Sequence, residues 1–564
     1  MPEHAKSDDV VSAAITPQAQ TVERGTDWET GTLQPSGLLN HVATEGRFSL
    51  QSILSPQGSN VSDVLNENIC STFSPEDPVQ LGHINLSIAE SLFDNFIKVL
   101  NPYISQLDPV LHTFNYVRRR SSFLFTAILA AAAKSFNTAL YQSLHDYAES
   151  LLANTFRLGR KSIEIAQAVL ILTYWKEPED TRAWIFLGYT IRMGMDLGWH
   201  RLAPYPSCDQ LTLSEAQKRE TRNVQRTWYI LFVYDRSISL QTGKPWMIER
   251  STFIEAIESW CRDPLATDND RLLGAFVTLR LLSSEVFKLL GPKSSRVLSG
   301  PLHSIESLLA IIKIRIEEWE QRWIHCLLKS DMIYSETCHP FLIRFYGTHL
   351  RLQLFSLPLQ EILASSDPDI STNLEVLWVS YSSALEMLQL INRSTSFLYF
   401  AQDSIHVMTA YSAAFLIKLL LSTPESIACQ IEHHVTAAIN TAARIFSQQA
   451  SPPGSSCTLQ AKFLEKIMSD FEARRQEQRL QPSQSRPLGD DPHTRINVTL
   501  LDESGTSRPT DALGNGVTSI DDTLQAERNG SQSVRQEFSF AEDDIWADMF
   551  ASAGFNIQEG VFFA

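Results

Sequence analysis

Few residue runs in this chain have the types and spacing for chemistry. Asp543-Asp544-Ile545-Trp546-Ala547-Asp548 carries carboxylates at the spacing that holds magnesium in an all-helical active site. Such carboxylates work only when they line a deep cavity with more ligands opposite. This run lies close to the C-terminal end, beyond a long polar stretch, so no metal site is expected from it. Cys338-His339 places a thiol beside an imidazole, but sequence neighbours point apart on a helix, so no nucleophile pair is expected. His433-His434 reads the same way. Arg219, Arg222 and Arg226 recur on one helical face, a pattern that could contact phosphates. Arg118-Arg119-Arg120 is a short basic run of the phosphate-binding or nuclear-import kind. For both sets the expected role is ion pairing. Trp228, Leu231, Phe232 and Tyr234 follow the first set at once, and Glu215, Glu220 and Asp235 lie near enough to neutralise it. There is no G-x-S-x-G elbow, Gly-rich phosphate loop or H-E-x-x-H motif. The expectation is a non-enzyme with no catalytic residues and no bound cofactor or metal.

The totals agree. A chain of 564 residues with 43% hydrophobic residues can bury a large core. A net charge of −17 argues against wrapping nucleic acid with the whole surface. The cysteines form no C-x-x-C pair, which suits free thiols in a reducing compartment. The N-terminal residues hold no signal-peptide core. The longest apolar run, Val407 to Leu421, contains Lys418 and is short for a membrane span, so a buried helix is expected and no membrane partner.

The elements that would position these residues are helices. Lys161 to Arg201 reads as two helices joined by an acidic turn holding Pro178. The second sets Trp184, Leu187, Gly188, Ile191 and Met195 on one face, with Arg182, Arg192 and Asp196 on a narrow opposite stripe. Gly188 and Gly194 would let neighbouring helices approach, and Gly198 would end the helix in a left-handed cap. Ser214 and Gln217 have capping-box spacing and open a helix through Arg222, Trp228, Asp235 and Arg236, which Gly243 ends and Pro245 keeps from continuing. Upstream, a helix near Ile88 to Val99 should stop at Pro102, and Ser121 or Ser122 should cap a helix over Phe123 to Phe136. Downstream, Leu308, Ile311, Ile312, Ile316, Trp319 and Trp323 mark a long amphipathic helix, and further helices follow to about residue 450. No alternating strand pattern occurs. The fold class expected is all-α, a multi-helix bundle or irregular α-solenoid flanked by disordered segments.

RAWIFLGYTIRMGMDLGWHR and, about 20 residues on, KRETRNVQRTWYILFVYDRSISLQTGKPWMI carry a resemblance. Together they resemble the two signatures of the middle homology region of fungal-specific transcription factors, the zinc-cluster regulators. The positions that match are Trp184, Gly188, Arg192 and Gly198, then Arg222, Trp228, Asp235, Arg236, Gly243 and Pro245. The resemblance implies a helical regulatory domain in a nuclear regulator, with structural roles for these residues. Members of that family often control pathway genes, including those of secondary metabolism. They normally carry an N-terminal two-zinc, six-cysteine cluster, whereas the first 100 residues here hold only Cys70. Direct DNA binding is therefore in doubt, and DNA contact is expected through a partner or an N-terminal module missing from this sequence; a zinc-cluster protein is a candidate partner, as is a second copy of the chain in a homodimer.

The organisation expected is a disordered segment over 1–80, the regulatory domain over 81–450, a disordered linker with one short helix near Thr458 to Arg479 over 451–535, and a tail over 536–564. That tail interleaves acidic residues with Phe540, Ile545, Trp546, Met549 and Phe550, the composition of a segment that docks in a groove of the transcription machinery or a coactivator. Two other functions fit an all-α chain: a small-molecule-binding protein or enzyme, and a dimerising inhibitor of a zinc-cluster regulator.

Overall fold

The structure is a computed structural model that describes residues 76–204, 213–242, 244–290, 302–328, 337–364, 374–423, 425–449, 451–452 and 454–480. Expectations for residues 1–75, for Gly243 and for the tail with Phe540, Asp543, Ile545, Trp546, Met549 and Phe550 lie outside these residues. Among the described residues every regular element is helical, as the periodicity predicts.

Helix ends follow local chemistry. α1 (Leu86–Asn95) opens on Asn85, whose side chain accepts from the Ser87 N–H. It does not stop at Pro102. A π-helical turn (Phe96–Leu100) carries it into α2 (Asn101–Ile104), where Pro102 sits in the first turn and its missing N–H costs nothing. The chain turns instead at Ser105, in the left-handed region with φ 54°. α3 (Phe114–Arg120) runs to Ser121, whose hydroxyl caps α4 (Ser122–Phe136) at the Leu124 N–H. α5 (Thr138–Leu158) ends at Gly159 with φ 61°. Ser162 caps α6 (Ile163–Tyr174), and α7 (Ala183–Asp196) completes the pair read from the sequence.

α4 is buried almost throughout, because α1, α5 and α6 cover it. α8 (Glu215–Thr242) packs on α6 and α7, then on α11 (Asp268–Leu290) after the short α9 (Thr252–Glu255) and α10 (Ile257–Trp260). α12 (Leu302–Leu328), α13 (His339–Ala364) and α14 (Leu374–Arg393) extend the stack as consecutive antiparallel neighbours. On α12, Ile312, Ile316, Trp319 and Trp323 are buried as expected, but Ile311 faces outward. After α15 (Thr395–Leu398), α16 (Asp403–Ser422) is long and apolar enough to cross a membrane, yet α14, α17 (Glu425–Ser447) and α18 (Ser456–Leu480) cover it.

The early and late helices meet. Tyr103 Oη donates to the Phe397 carbonyl at 2.8 Å, and Gln402 Nε2 to the Tyr103 carbonyl at 2.9 Å. α18 is the helix expected as an island in the linker. It packs on α16 and α17 through Phe463, Leu464, Ile467 and Phe471, so the bundle continues past the composition change near residue 450.

Candidate functional site

α8 organises the region of both signatures. Its start is the expected capping box: the Ser214 N–H donates to Gln217 Oε1 at 3.0 Å, and the Gln217 N–H to Ser214 Oγ at 3.3 Å. The arginine face then turns inward. Arg219 Nη1 lies 2.9 Å from the buried Asp108 carboxylate, and its Nε 2.9 Å from Glu215. Arg222 donates to Asp270 Oδ2 and to the Trp260 carbonyl, both at 3.2 Å, and its guanidinium lies 3.9 Å from the Trp260 ring centroid. Arg226 grips both Asp270 oxygens, at 2.6 and 3.0 Å. Burial would raise the Asp270 carboxyl, but Arg226 and Arg222 beside it hold it below the usual carboxylate range.

Ion pairing is the role expected of these arginines, but the partners differ from those near in sequence. Only Glu215 serves as anticipated. Glu220 binds Tyr116, Asp235 binds backbone, and the neutralising charges are Asp108 and Asp270. No local pattern marks those two aspartates. Arg118 is likewise buried against Asp77, and Arg120 binds Glu164.

The two signatures meet on the extended residues after α8. Asp235 Oδ2 accepts from the Met247 and Ile248 N–H groups, both at 2.8 Å. Burial pushes this carboxyl up, against the pull of those two N–H groups. Arg236 Nη2 donates to the Ile248 carbonyl at 2.8 Å, while its guanidinium stacks 3.9 Å from the Trp246 ring centroid. From α7, Trp184 faces the Lys244 ammonium at 5.1 Å, and a Cβ on Gly188 would meet Met247 Sδ at 3.7 Å. Trp184, Gly188, Asp235 and Arg236 thus hold one segment, 244–248, from two helices. Pro245 is exposed within it.

The remaining signature residues act elsewhere. Gly198, with φ 81°, ends α7 as predicted and turns the chain so that Trp199 meets Trp228 edge-on, centroids 6.4 Å apart. The close approach falls at Gly194, where a Cβ would lie 2.6 Å from Trp199 and 3.2 Å from Trp228. Gly188 has ordinary room. Arg192 is exposed on the outer stripe.

The chemistry open to these groups is narrow. The Cys338 thiol is buried and pushed up, and His339 is lowered to about 4 by burial, the reverse of a thiolate–imidazolium pair. Among the described residues no cluster of three or more His, Cys, Asp or Glu could hold a metal ion. Of the signature side chains, Arg222, Asp235 and Arg236 are engaged in internal hydrogen bonds, whereas Arg192 and Pro245 are exposed.

Comparison with known proteins finds similarity over the same region. Residues 90–255 match the fungal specific transcription factor domain. The protein priB of Lentinula edodes is 29% identical over 395 residues, 67% of this chain and 65% of that protein. The transcriptional activator of proteases prtT of Emericella nidulans is 24% identical over 368 residues, 62% of this chain and 53% of that protein. The matches therefore span less than two thirds of either relative. No solved structure matches. The signatures expected from the sequence lie inside the matched span, on α7, α8 and the segment they clamp, so it is over residues 90–255 that this chain is similar to the fungal specific transcription factor domain.

Proposed function

We propose that the protein is a nuclear transcription regulator that activates pathway genes, with secondary metabolism as one target class. The helical bundle is its regulatory domain. Residues 536–564 recruit the transcription machinery or a coactivator through Phe540, Ile545, Trp546, Met549 and Phe550. DNA is reached through a zinc-cluster module supplied by a partner or by a missing N-terminal segment. The observation that carries this reading is the match over residues 90–255. The burial of Arg222 and Arg226 in ion pairs supports it, because a scaffold that consumes its arginine stripe needs another module to meet DNA. A relative described as a transcriptional activator supports the sign of regulation.

The test fuses residues 536–564 to a heterologous DNA-binding domain. Reporter activity that Trp546→Ala with Phe550→Ala abolishes is the expected result. A silent fusion overturns the activation role of the tail.

A further inference from the structure

An interior cavity of about 40 Å³ lies where α2, α6, α8, α11, α13 and the start of α16 converge. That is room for about three water molecules, or a small organic anion. Tyr103, Tyr174, Tyr234, Tyr346 and Ser404 line it, and Arg280 enters it from α11. Arg280 is only 5% exposed. No described residue accepts a hydrogen bond from its guanidinium, and its Nε is buried without a partner. The Tyr346 ring centroid lies 5.7 Å from the Arg280 Cζ, and the Arg280 charge also acts on the buried His349.

The other buried arginines show what is missing. Arg118 has Asp77, Arg222 and Arg226 have Asp270, and Arg236 has the Ile248 carbonyl. Asp403, next to Ser404, is already engaged by Lys176 at 3.6 Å and Ser456 at 2.9 Å. Burial lowers Arg280 to about 10, so it stays charged at neutral pH. A guanidinium held from water without an anion is strongly unfavourable.

Other donors line the same cavity. Tyr103 and Tyr346 are committed, to the Phe397 carbonyl and to Ser404 Oγ. Tyr174 and Tyr234 stack at 4.8 Å, and no described residue hydrogen-bonds their hydroxyls. We propose that this cavity binds a small carboxylate, with the Arg280 guanidinium as its counter-ion and the Tyr174 and Tyr234 hydroxyls as further donors. One fixed charge and a planar fork suit a carboxylate better than a bulkier, doubly charged phosphate. The aromatic rings would cover the ligand's apolar body. The ligand would bridge α6, α8 and α11, so it gives the regulatory domain an effector class. Only that consequence rests on the regulator reading; binding does not.

The test titrates purified full-length protein with sodium acetate and sodium propionate by calorimetry and thermal unfolding, with sodium chloride and inorganic phosphate at equal ionic strength as controls. The carboxylates should bind saturably and raise the unfolding temperature beyond the controls. Arg280→Met should abolish this while keeping the helical circular dichroism signal. Equal effects of all four salts, no saturable binding, or undiminished binding by Arg280→Met overturns the proposal. Should Arg280→Met not fold, Tyr174→Phe with Tyr234→Phe should weaken binding at least about tenfold, and unchanged affinity overturns it. Loss of binding with promoter occupancy intact removes this inference alone. Binding without occupancy removes only the regulator reading.

Discussion

Arg226 and Asp270 form a two-pronged ion pair wholly inside the bundle, Nε and Nη2 lying 2.6 and 3.0 Å from the two carboxylate oxygens. The pair joins α8 to α11, and Arg222 shares its carboxylate. Removing the anion strands two buried cations. Asp270→Ala should cost about 3–5 kcal/mol, read as a lower urea midpoint by circular dichroism. Arg226→Met should cost less in that background than in the native chain, because its partner is already gone. Equal costs in both backgrounds would show that the pair is not coupled.

The Asp235 clamp has a local signature. Asp235→Ala frees the Met247 and Ile248 N–H groups, at about 1.5–3 kcal/mol for bonds to a charged group. Hydrogen exchange at those two amides should accelerate far more than in the α4 core. Unchanged exchange there would mean that something else holds segment 244–248.

Two glycines on one helix should behave oppositely. Gly194→Ala drives a methyl against Trp199 and Trp228 and should cost about 1–3 kcal/mol with a changed tryptophan emission. Gly188→Ala meets only Met247 Sδ at 3.7 Å, and should be neutral or gain up to about 1 kcal/mol from helix propensity. Thermal melts of the two variants make the comparison.

Acid should weaken the fold before the carboxylates titrate. Burial lowers His112, His339 and His406 to about 4 and His349 to about 3. Each stays neutral when folded but takes up a proton when unfolded, near the ordinary value of about 6.5. The unfolded chain therefore binds more protons between roughly pH 6.5 and 4. Stability is full above that window and falls as pH drops through it, by up to about 1.4 kcal/mol per unit for each histidine. Urea midpoints at pH 7.5, 6 and 5 check this. A midpoint flat across that range would contradict the burial of these rings.

What the sequence discloses of this fold is its local physics. Ser121, Ser214 with Gln217, and Gly198 mark helix ends that the structure reproduces, because a cap is settled within one turn of chain. The signature residues stood out as a set, but what joins them did not. Asp235 reaches twelve residues on to Met247, and Gly188 faces that same methionine from another helix. The partners of Arg222 and Arg226 lie 48 and 44 residues away on Asp270, and Arg219 finds Asp108 across 111 residues. Such pairings are decided by packing, which periodicity does not encode. Pro102 misled for the same reason: whether a proline ends a helix or begins its next turn depends on how the chain around it packs.

The most direct measurement is genome-wide chromatin occupancy of the tagged native protein, with its localisation recorded in the same cells. A nuclear regulator gives a nuclear signal and discrete promoter peaks, with a shared base motif beneath them that fades if a zinc-cluster partner supplying the DNA contact is deleted. A protein outside the nucleus with no peaks would contradict the central claim.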